Sequence, residues 1–296
     1  MALQLYRYVP GTLVIIGKQP DGDSVRFRPD DADSLSDIYR AHLLRPAKDG
    51  THQLRLEGID APETHYGGKA QPLGKTVRDY FLRDELGFSS VTWQGESVAS
   101  AEPETLRGAI LTASADVHGR PISYLLPEQN PFGGADTGAI SQEVLKASFN
   151  FQLLAGGHVY PLLYSSAPVE QRQWLTASAQ EARSAELGIW AVDSTPRFAL
   201  DTLADVGWAS RSDVDASEES GKGQARLIFP KIFRRAVDFL ASGEADLVTW
   251  LTQNGGENDL VIVGNRLEVP LSQLIHREND RYRLEIDVTE AVFVEK

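Results

Sequence analysis

Arg55, Asp60 and Glu63 fall within nine positions of one another in the stretch Leu54 to Thr64, which reads Leu-Arg-Leu-Glu-Gly-Ile-Asp-Ala-Pro-Glu-Thr. One guanidinium and two carboxylates at the end of a strand suit a hard metal ion together with a phosphate: carboxylates are oxygen ligands, and a guanidinium is a fork for phosphate oxygens. Taken alone, the stretch fits a plain turn better than a site, because Asp tolerates bent backbone and Pro62 drives Ala61 towards an extended conformation; its company elsewhere in the chain reverses that. Asp23 adds another carboxylate at the mouth of a second strand, behind the turn Asp21-Gly22-Asp23. A divalent ion on a phosphodiester needs anionic oxygens from several elements, and Asp23 and Asp60 can supply two.

Composition narrows the chemistry. The chain has no Cys, so disulfides, thiolate zinc sites and cysteine nucleophiles are excluded, and its six His show no His-Glu-x-x-His spacing. With 296 residues, 42% of them hydrophobic, there is material for one large domain or two smaller ones. The net charge of −13 opposes tight non-specific binding to a polyanion, so a nucleic-acid substrate would call for a cation. The N-terminus has no basic region followed by an apolar run, and no stretch approaches a membrane span, which reads as a cytoplasmic chain.

The elements that must position these residues follow from periodicity. Gly11 to Lys18 and Ser24 to Arg28 read as a hairpin around Asp21-Gly22-Asp23. Ser34 to Leu44 suits a short helix capped by Asp33 or Ser34, inside an insertion whose acidic start, Asp30-Asp31-Ala32-Asp33, reads as a solvated charge run with no catalytic role. Gly74 to Leu86 has helical spacing, with Val77, Tyr80, Phe81 and Leu86 on one side and Lys75, Arg78, Asp79 and Arg83 mostly on the other. Ser90 to Trp93 and Pro121 to Leu126 read as strands, the latter behind Asp116-Val117-His118-Gly119-Arg120.

Two of these pieces together, Asp21-Gly22-Asp23-Ser24-Val25 and Arg55 to Thr64 with its Ile-Asp-Ala-Pro-Glu core, resemble the staphylococcal nuclease (thermonuclease) family. The resemblance extends over about residues 10–190, through the helix at Gly74, the helix Phe149 to Gly157, and Pro168 to Trp190 with its closing Leu187-Gly188-Ile189-Trp190. It implies an α+β fold: an OB-like five-stranded β-barrel with packed helices over residues 1–195. It further implies a calcium-dependent nuclease that hydrolyses phosphodiester bonds of DNA or RNA, single strands preferred, and leaves 3′-phosphate ends. One calcium ion is implied, with magnesium or manganese as alternatives. Asp23 and Asp60 resemble its ligands, the Ala61 carbonyl replaces a main-chain oxygen usually taken from Thr, and Asp21 orients water around the ion. Glu63 resembles the carboxylate that orients or deprotonates the attacking water, and Arg55 and Arg120 the two guanidiniums on the scissile phosphate. Arg107-Gly108, ahead of Ala109-Ile110-Leu111, is a decoy for Arg120.

Departures from the family pattern cluster where the substrate would lie. Ungapped counting puts the family's base-stacking aromatic at Leu162, whereas Tyr164 matches a second tyrosine and Tyr160 lies nearby. Val117-His118 stands where Lys-Tyr often precedes Gly-Arg, which removes a positive charge; His118 is a candidate for stacking or phosphate contact.

Beyond Trp190 the resemblance ends. Ala209 to Ala225, rich in Ser, Asp, Glu and Gly, reads as a flexible connection inside a C-terminal accessory domain, residues 196–296. Helices at Ile232 to Leu240 and Ala245 to Thr252 precede alternating stretches at Leu260 to Val263, Leu267 to Leu274, Tyr282 to Val288 and Ala291 to Val294, which suggests a small α+β domain. Lys231, Arg234 and Arg235 read either as a soluble helix face or as a nucleic-acid patch, and nothing assigns this domain a partner. The rival to a nuclease is a non-catalytic binding scaffold on the same fold. Joint retention of Asp23, Asp60, Glu63, Arg55 and Arg120 argues against it.

Overall fold

The computed structural model describes residues 4–200, 227–264 and 267–295. The flexible connection expected at Ala209 to Ala225 lies outside them. In chain order, strands β1 (Tyr6–Val14), β2 (Arg26–Pro29), β3 (His52–Gln53), β4 (Arg55–Leu56) and β5 (Gly58–Asp60) precede helix α1 (Gly74–Tyr80). Then come β6 (Ser90–Gln94), β7 (Ser97–Glu102), β8 (Thr105–Ala115), β9 (Pro121–Leu126) and β10 (Thr137–Gly138), helices α2 (Gln142–Lys146) and α3 (Phe149–Ala155), β11 (Tyr160–Tyr164) and α4 (Val169–Ser184). β12 (Arg197–Phe198), α5 (Pro230–Ser242), α6 (Leu247–Gln253), β13 (Leu260–Val263), β14 (Leu267–Pro270), α7 (Leu271–Leu274), β15 (Ile275–Glu278), β16 (Arg281–Leu284) and β17 (Val292–Phe293) complete the described elements.

Contacts divide the chain into two units, Met1–Glu57 with Arg78–Leu153, and Gly58–Val77 with Leu154–Lys296. In the first, the strands follow the path β3-β2-β1-β8-β9-β4, with β10 added beside β1. The two ends of that path, β3 and β4, are neighbours in sequence. Leu54 between them is fully buried and its N–H donates to the Val25 carbonyl at 2.9 Å. The segment 52–56 therefore pairs antiparallel with β2 on one side and parallel with β9 on the other, and the sheet is nearly closed and barrel-like. Six strands appear where five were expected because this segment switches partner at Leu54. Strand alternation fills the interior: Leu13, Phe27, Leu54, Ile110 and Leu125 are each at most 2% exposed. At about 1.5–3 kcal/mol per buried side chain, this interior outweighs the few ladder bonds of two-residue strands. Asn150, also buried, completes the ladder where β4 ends: it accepts from Leu125 N–H and donates to the Glu57 and Ser123 carbonyls.

Two helix expectations change. Ser34 to Leu44 forms no α-helix but two 3₁₀ turns, Ala32–Leu35 and Ala41–Leu43, the first capped by Asp31. Leu35 and Ile38 turn inwards, and Arg40 takes a left-handed φ of 61° that breaks the run. The helix at Gly74 is α only to Tyr80 and continues as a π turn, Phe81–Glu85. Arg78, expected on its polar side, is 5% exposed, with its guanidinium carbon 3.7 Å from the centroid of the Trp93 ring.

The second unit holds a five-stranded sheet, β14-β13-β17-β11-β5, and a three-stranded sheet, β12-β16-β15. β17, at the end of the described chain, pairs in parallel with β11, Leu163 opposite Val292. The expected boundary at 195/196 therefore falls inside this unit. Helix α5 starts at Pro230, whose missing N–H costs nothing in a first turn, and ends at Gly243 in the left-handed conformation. α6 starts at Asp246, whose carboxylate accepts from Thr249 N–H at 2.9 Å. Leu267 to Leu274, read as alternating, is a strand and then the turn of helix α7, and the stretch from Tyr282 is a strand only to Leu284. Among the described residues no helix is long and apolar enough to cross a membrane.

Candidate functional site

The predicted residues divide between the units: Asp21, Asp23, Arg55, His118 and Arg120 lie in the first, and Asp60, Ala61, Glu63, Tyr160 and Tyr164 in the second. In the first unit Asp21 and Ser24 form an isolated β-bridge, the Asp21 carboxylate accepts from Gly22 N–H at 2.8 Å, and the Asp23 carbonyl accepts from Leu56 N–H at 3.2 Å. Arg55 lies opposite Ile122 in the parallel β4–β9 pair; both are half-buried, while Leu56 and Ser123 alternate inwards. Arg120 lies two residues before Ile122, on the loop entering β9. Asp23, Arg55 and Arg120 thus belong to three neighbouring segments of one sheet.

Asp116 builds the Arg120 loop. Its Oδ1 accepts from the N–H groups of His118 (3.0 Å) and Arg120 (2.9 Å), and its Oδ2 from Arg120 Nε (2.7 Å). Asp116 takes the Nε edge of the fork, and the Arg120 side chain is 36% exposed. Gly119 has φ +80°, and a Cβ there would stand 2.2 Å from the Leu43 carbonyl oxygen, so only glycine fits. The decoy, Arg107, lies in β8 and binds Asp30 and Glu128. Its hydrogen bond holds the Asp30 carboxyl below the usual range, so the acidic run is in part an ion pair rather than only a solvated face.

The insertion denied any role by the sequence is fastened to this loop. Tyr39 N–H donates to Ala113 and the Tyr39 carbonyl accepts from Ala115 N–H, both at 2.9 Å, and Arg45 N–H donates to the Gly119 carbonyl at 3.2 Å. Tyr39 is 68% exposed, with the Arg40 guanidinium 5.3 Å from its ring centroid, and His42, Arg45 and His118 are exposed as well. The available signal was an aromatic and three cationic or imidazole side chains within Tyr39 to Arg45.

In the second unit β5 delivers Asp60 opposite Tyr160 of β11. Tyr160 is fully buried and donates its hydroxyl to Asp193 at 2.8 Å; Leu162 is 5% exposed. Tyr160 is therefore a core residue with no surface for a substrate, contrary to expectation. Burial, reinforced by the Asp193 charge, pushes its phenol well above the usual range. Tyr164 is half-buried, its hydroxyl 3.4 Å from Lys231 Nζ. Ala61 is 3% exposed. Glu63 is fixed through its backbone by Gln71, a buried residue that no motif marks out. Gln71 Oε1 accepts from Glu63 N–H at 3.1 Å, its own N–H donates to the Glu63 carbonyl at 2.8 Å, and its Nε2 donates to the Ile228 carbonyl at 2.7 Å. Gly74 lies so close that a Cβ would stand 2.6 Å from the Glu63 carbonyl oxygen.

Arg234, from the middle of α5, meets both carboxylates. One terminal nitrogen donates to Asp60 Oδ1 at 3.1 Å and to Glu63 Oε1, and the other donates to Asp60 Oδ2 at 3.0 Å. Asp60, Glu63 and Arg234 side chains are 4%, 14% and 22% exposed, so water screens this contact little. Burial alone would lower the Arg234 pKa, but the charges of Asp60 and Glu63 more than offset it, and the guanidinium stays protonated. The rest of the basic helix face is paired too: Lys231 and Arg235 with Asp259, and Arg235 with Glu257. It is neither a soluble face nor a nucleic-acid patch.

Among the described residues no group of three or more His, Asp or Glu side chains is gathered for a metal. With Arg234 in place, both Asp60 oxygens and one of Glu63 are hydrogen-bonded, and these residues do not fit a divalent ion at the same time. No protein-family model matches the chain, and no curated protein matches it in sequence.

Proposed function

We propose that the chain is a nucleic-acid phosphodiesterase of the staphylococcal nuclease kind, built on an OB-like barrel. The observation that carries the reading is the convergence of Asp60 and Glu63 on a single cationic nitrogen, two carboxylates from one strand end held rigidly enough to share one positive charge. The nearly closed sheet, with segment 52–56 counted once, has the strand number of a five-stranded, partly open Greek-key barrel. In this reading Arg55 and Arg120 grip the non-bridging phosphate oxygens, whose charge grows as water attacks in line. Glu63, in the second unit, is the carboxylate that accepts a proton, which requires Arg234 to release its Oε1. Tyr39 with Arg40 serves as the stacking platform for an unpaired base that the buried Leu162 and Tyr160 cannot provide.

Digestion of single-stranded DNA and RNA by the wild-type chain, Arg234→Ala and Glu63→Gln, in calcium and in chelator, tests this. Calcium-dependent cleavage that falls by about 10²-fold or more in Glu63→Gln is expected. Oligonucleotide binding with no cleavage by either the wild type or Arg234→Ala would assign the chain to the second reading, a binding scaffold.

A further inference from the structure

The Asp60–Glu63 pair already holds a cation, and its placement is over-determined. Helix α5 is anchored around Arg234 by Lys231 and Arg235 on the buried Asp259, by the Tyr66 hydroxyl on Asp238 at 2.9 Å, and by Phe229 N–H on Thr195 Oγ1 at 2.8 Å. Gln71 links the Glu63 backbone to Ile228, two residues before the helix starts. The groups that fix Glu63 thus also fix the entry to the helix that carries Arg234. A guanidinium presents its donors in a rigid plane and here satisfies both oxygens of one carboxylate and one of the next. A calcium ion needs six to eight oxygens around it, and it would require the same ones.

We propose that Arg234 is the resident cation of the Asp60–Glu63 pair, so that a divalent ion binds there only when the guanidinium withdraws, and Arg234 sets the metal affinity of the site. The inference rests on the metal-dependent reading above and adds to it the residue that competes with the metal. If the open form is a minor population, the apparent metal affinity is reduced by that fraction. Removing the competitor restores it. A lysine in its place keeps the charge but loses the fork, freeing at least one Asp60 oxygen.

The test is calcium titration by calorimetry on the full chain, without nucleic acid, for the wild type, Arg234→Ala, Arg234→Lys and the double variant Arg234→Ala with Asp60→Asn. Circular dichroism establishes that each is folded. The expected result is binding tightened at least tenfold in Arg234→Ala, an intermediate value in Arg234→Lys, and loss in the double variant. Calcium should also raise the melting temperature of Arg234→Ala and leave that of the wild type nearly unchanged. If Arg234→Ala fails to fold in chelator, refolding on calcium addition supports the proposal. Failure to fold in either condition passes the decision to Arg234→Lys, whose affinity must then exceed the wild type's. Equal affinity in the wild type and the folded variants overturns the inference and leaves the metal-dependent reading standing. Absence of calcium binding in every folded variant overturns both.

Discussion

Two carboxylate–guanidinium contacts, one in each unit, differ in what holds them. Asp116 and Arg120 are four residues apart in a single turn, and the carboxylate would keep two backbone N–H donors if the arginine were gone. Asp60 and Arg234 are 174 residues apart, and their contact depends on the docking of a whole helix. The short-range pair is a property of its loop, and the long-range pair is a property of the unit's fold. A guanidinium that shapes a loop remains available to a ligand, whereas one that neutralises two sheltered carboxylates is a structural part of the unit.

The largest expected effect tests that difference directly. In chelator, Arg234→Ala leaves two sheltered carboxylates without their cation and should cost about 3–5 kcal/mol of unfolding free energy. Arg120→Ala removes a half-exposed partner from an already satisfied Asp116 and should cost about 1 kcal/mol or less. Denaturant midpoints of the two variants give the ratio. Similar losses would mean that the Arg234 contact is no more integral to its unit than a surface pair.

Next in size is Gln71→Ala. It deletes two side-chain hydrogen bonds at a residue 2% exposed and strands the Glu63 N–H and the Ile228 carbonyl, at a cost of about 2–3 kcal/mol. Amide exchange at Glu63 and in the first turn of α5 should accelerate together. Faster exchange at only one of them would separate the two groups that Gln71 joins. Gly119→Ala is the counterpart in the first unit: it forces a side chain into a left-handed backbone and against the Leu43 carbonyl, costing about 1–3 kcal/mol. It should weaken oligonucleotide binding by displacing Arg120, with little effect on calcium affinity. A Gly119→Ala chain that binds oligonucleotide as the wild type does would remove Arg120 from the binding surface.

How much of this was legible in the sequence follows the same division. The hairpin around Asp21-Gly22-Asp23, the strand after Gly119-Arg120 and the helix ending before Gly243 are written in local turn chemistry and periodicity, and they sit where the residues indicated. Arg120 was singled out by the family resemblance, and the Asp116 bonds that shape its loop were not read beforehand. Arg234 was not legible, because a helix face carrying Lys231, Arg234 and Arg235 looks the same whether it faces water or four carboxylates contributed by other segments. The expected helix from Ser34 failed for a different cause: its apolar positions suit a helix, but Tyr39 exchanges backbone bonds with Ala113 and Ala115, a pairing no local pattern encodes.

The smallest effect concerns the latch beside Arg234. Tyr66 donates its hydroxyl to Asp238 on α5, and burial, then the Asp238 hydrogen bond and charge, push its phenol up to about 12, with Arg235 and Arg234 partly opposing. An unfolded tyrosine ionises near about 10, so the folded chain holds this proton more tightly. Its contribution to stability is complete below the unfolded value and is lost as pH rises through the folded one. Tyr66→Phe should therefore cost about 0.5–1 kcal/mol near neutrality, the worth of one hydrogen bond. Across the window from about 10 to 12 the wild type should lose stability relative to the variant, read as the difference between their unfolding free energies at each pH. Because the latch and the Arg234 fork ride on one helix, the variant should also bind calcium slightly more tightly than the wild type. A pH-independent stability difference combined with unchanged calcium affinity would detach Tyr66 from the mechanism that holds Arg234 in place.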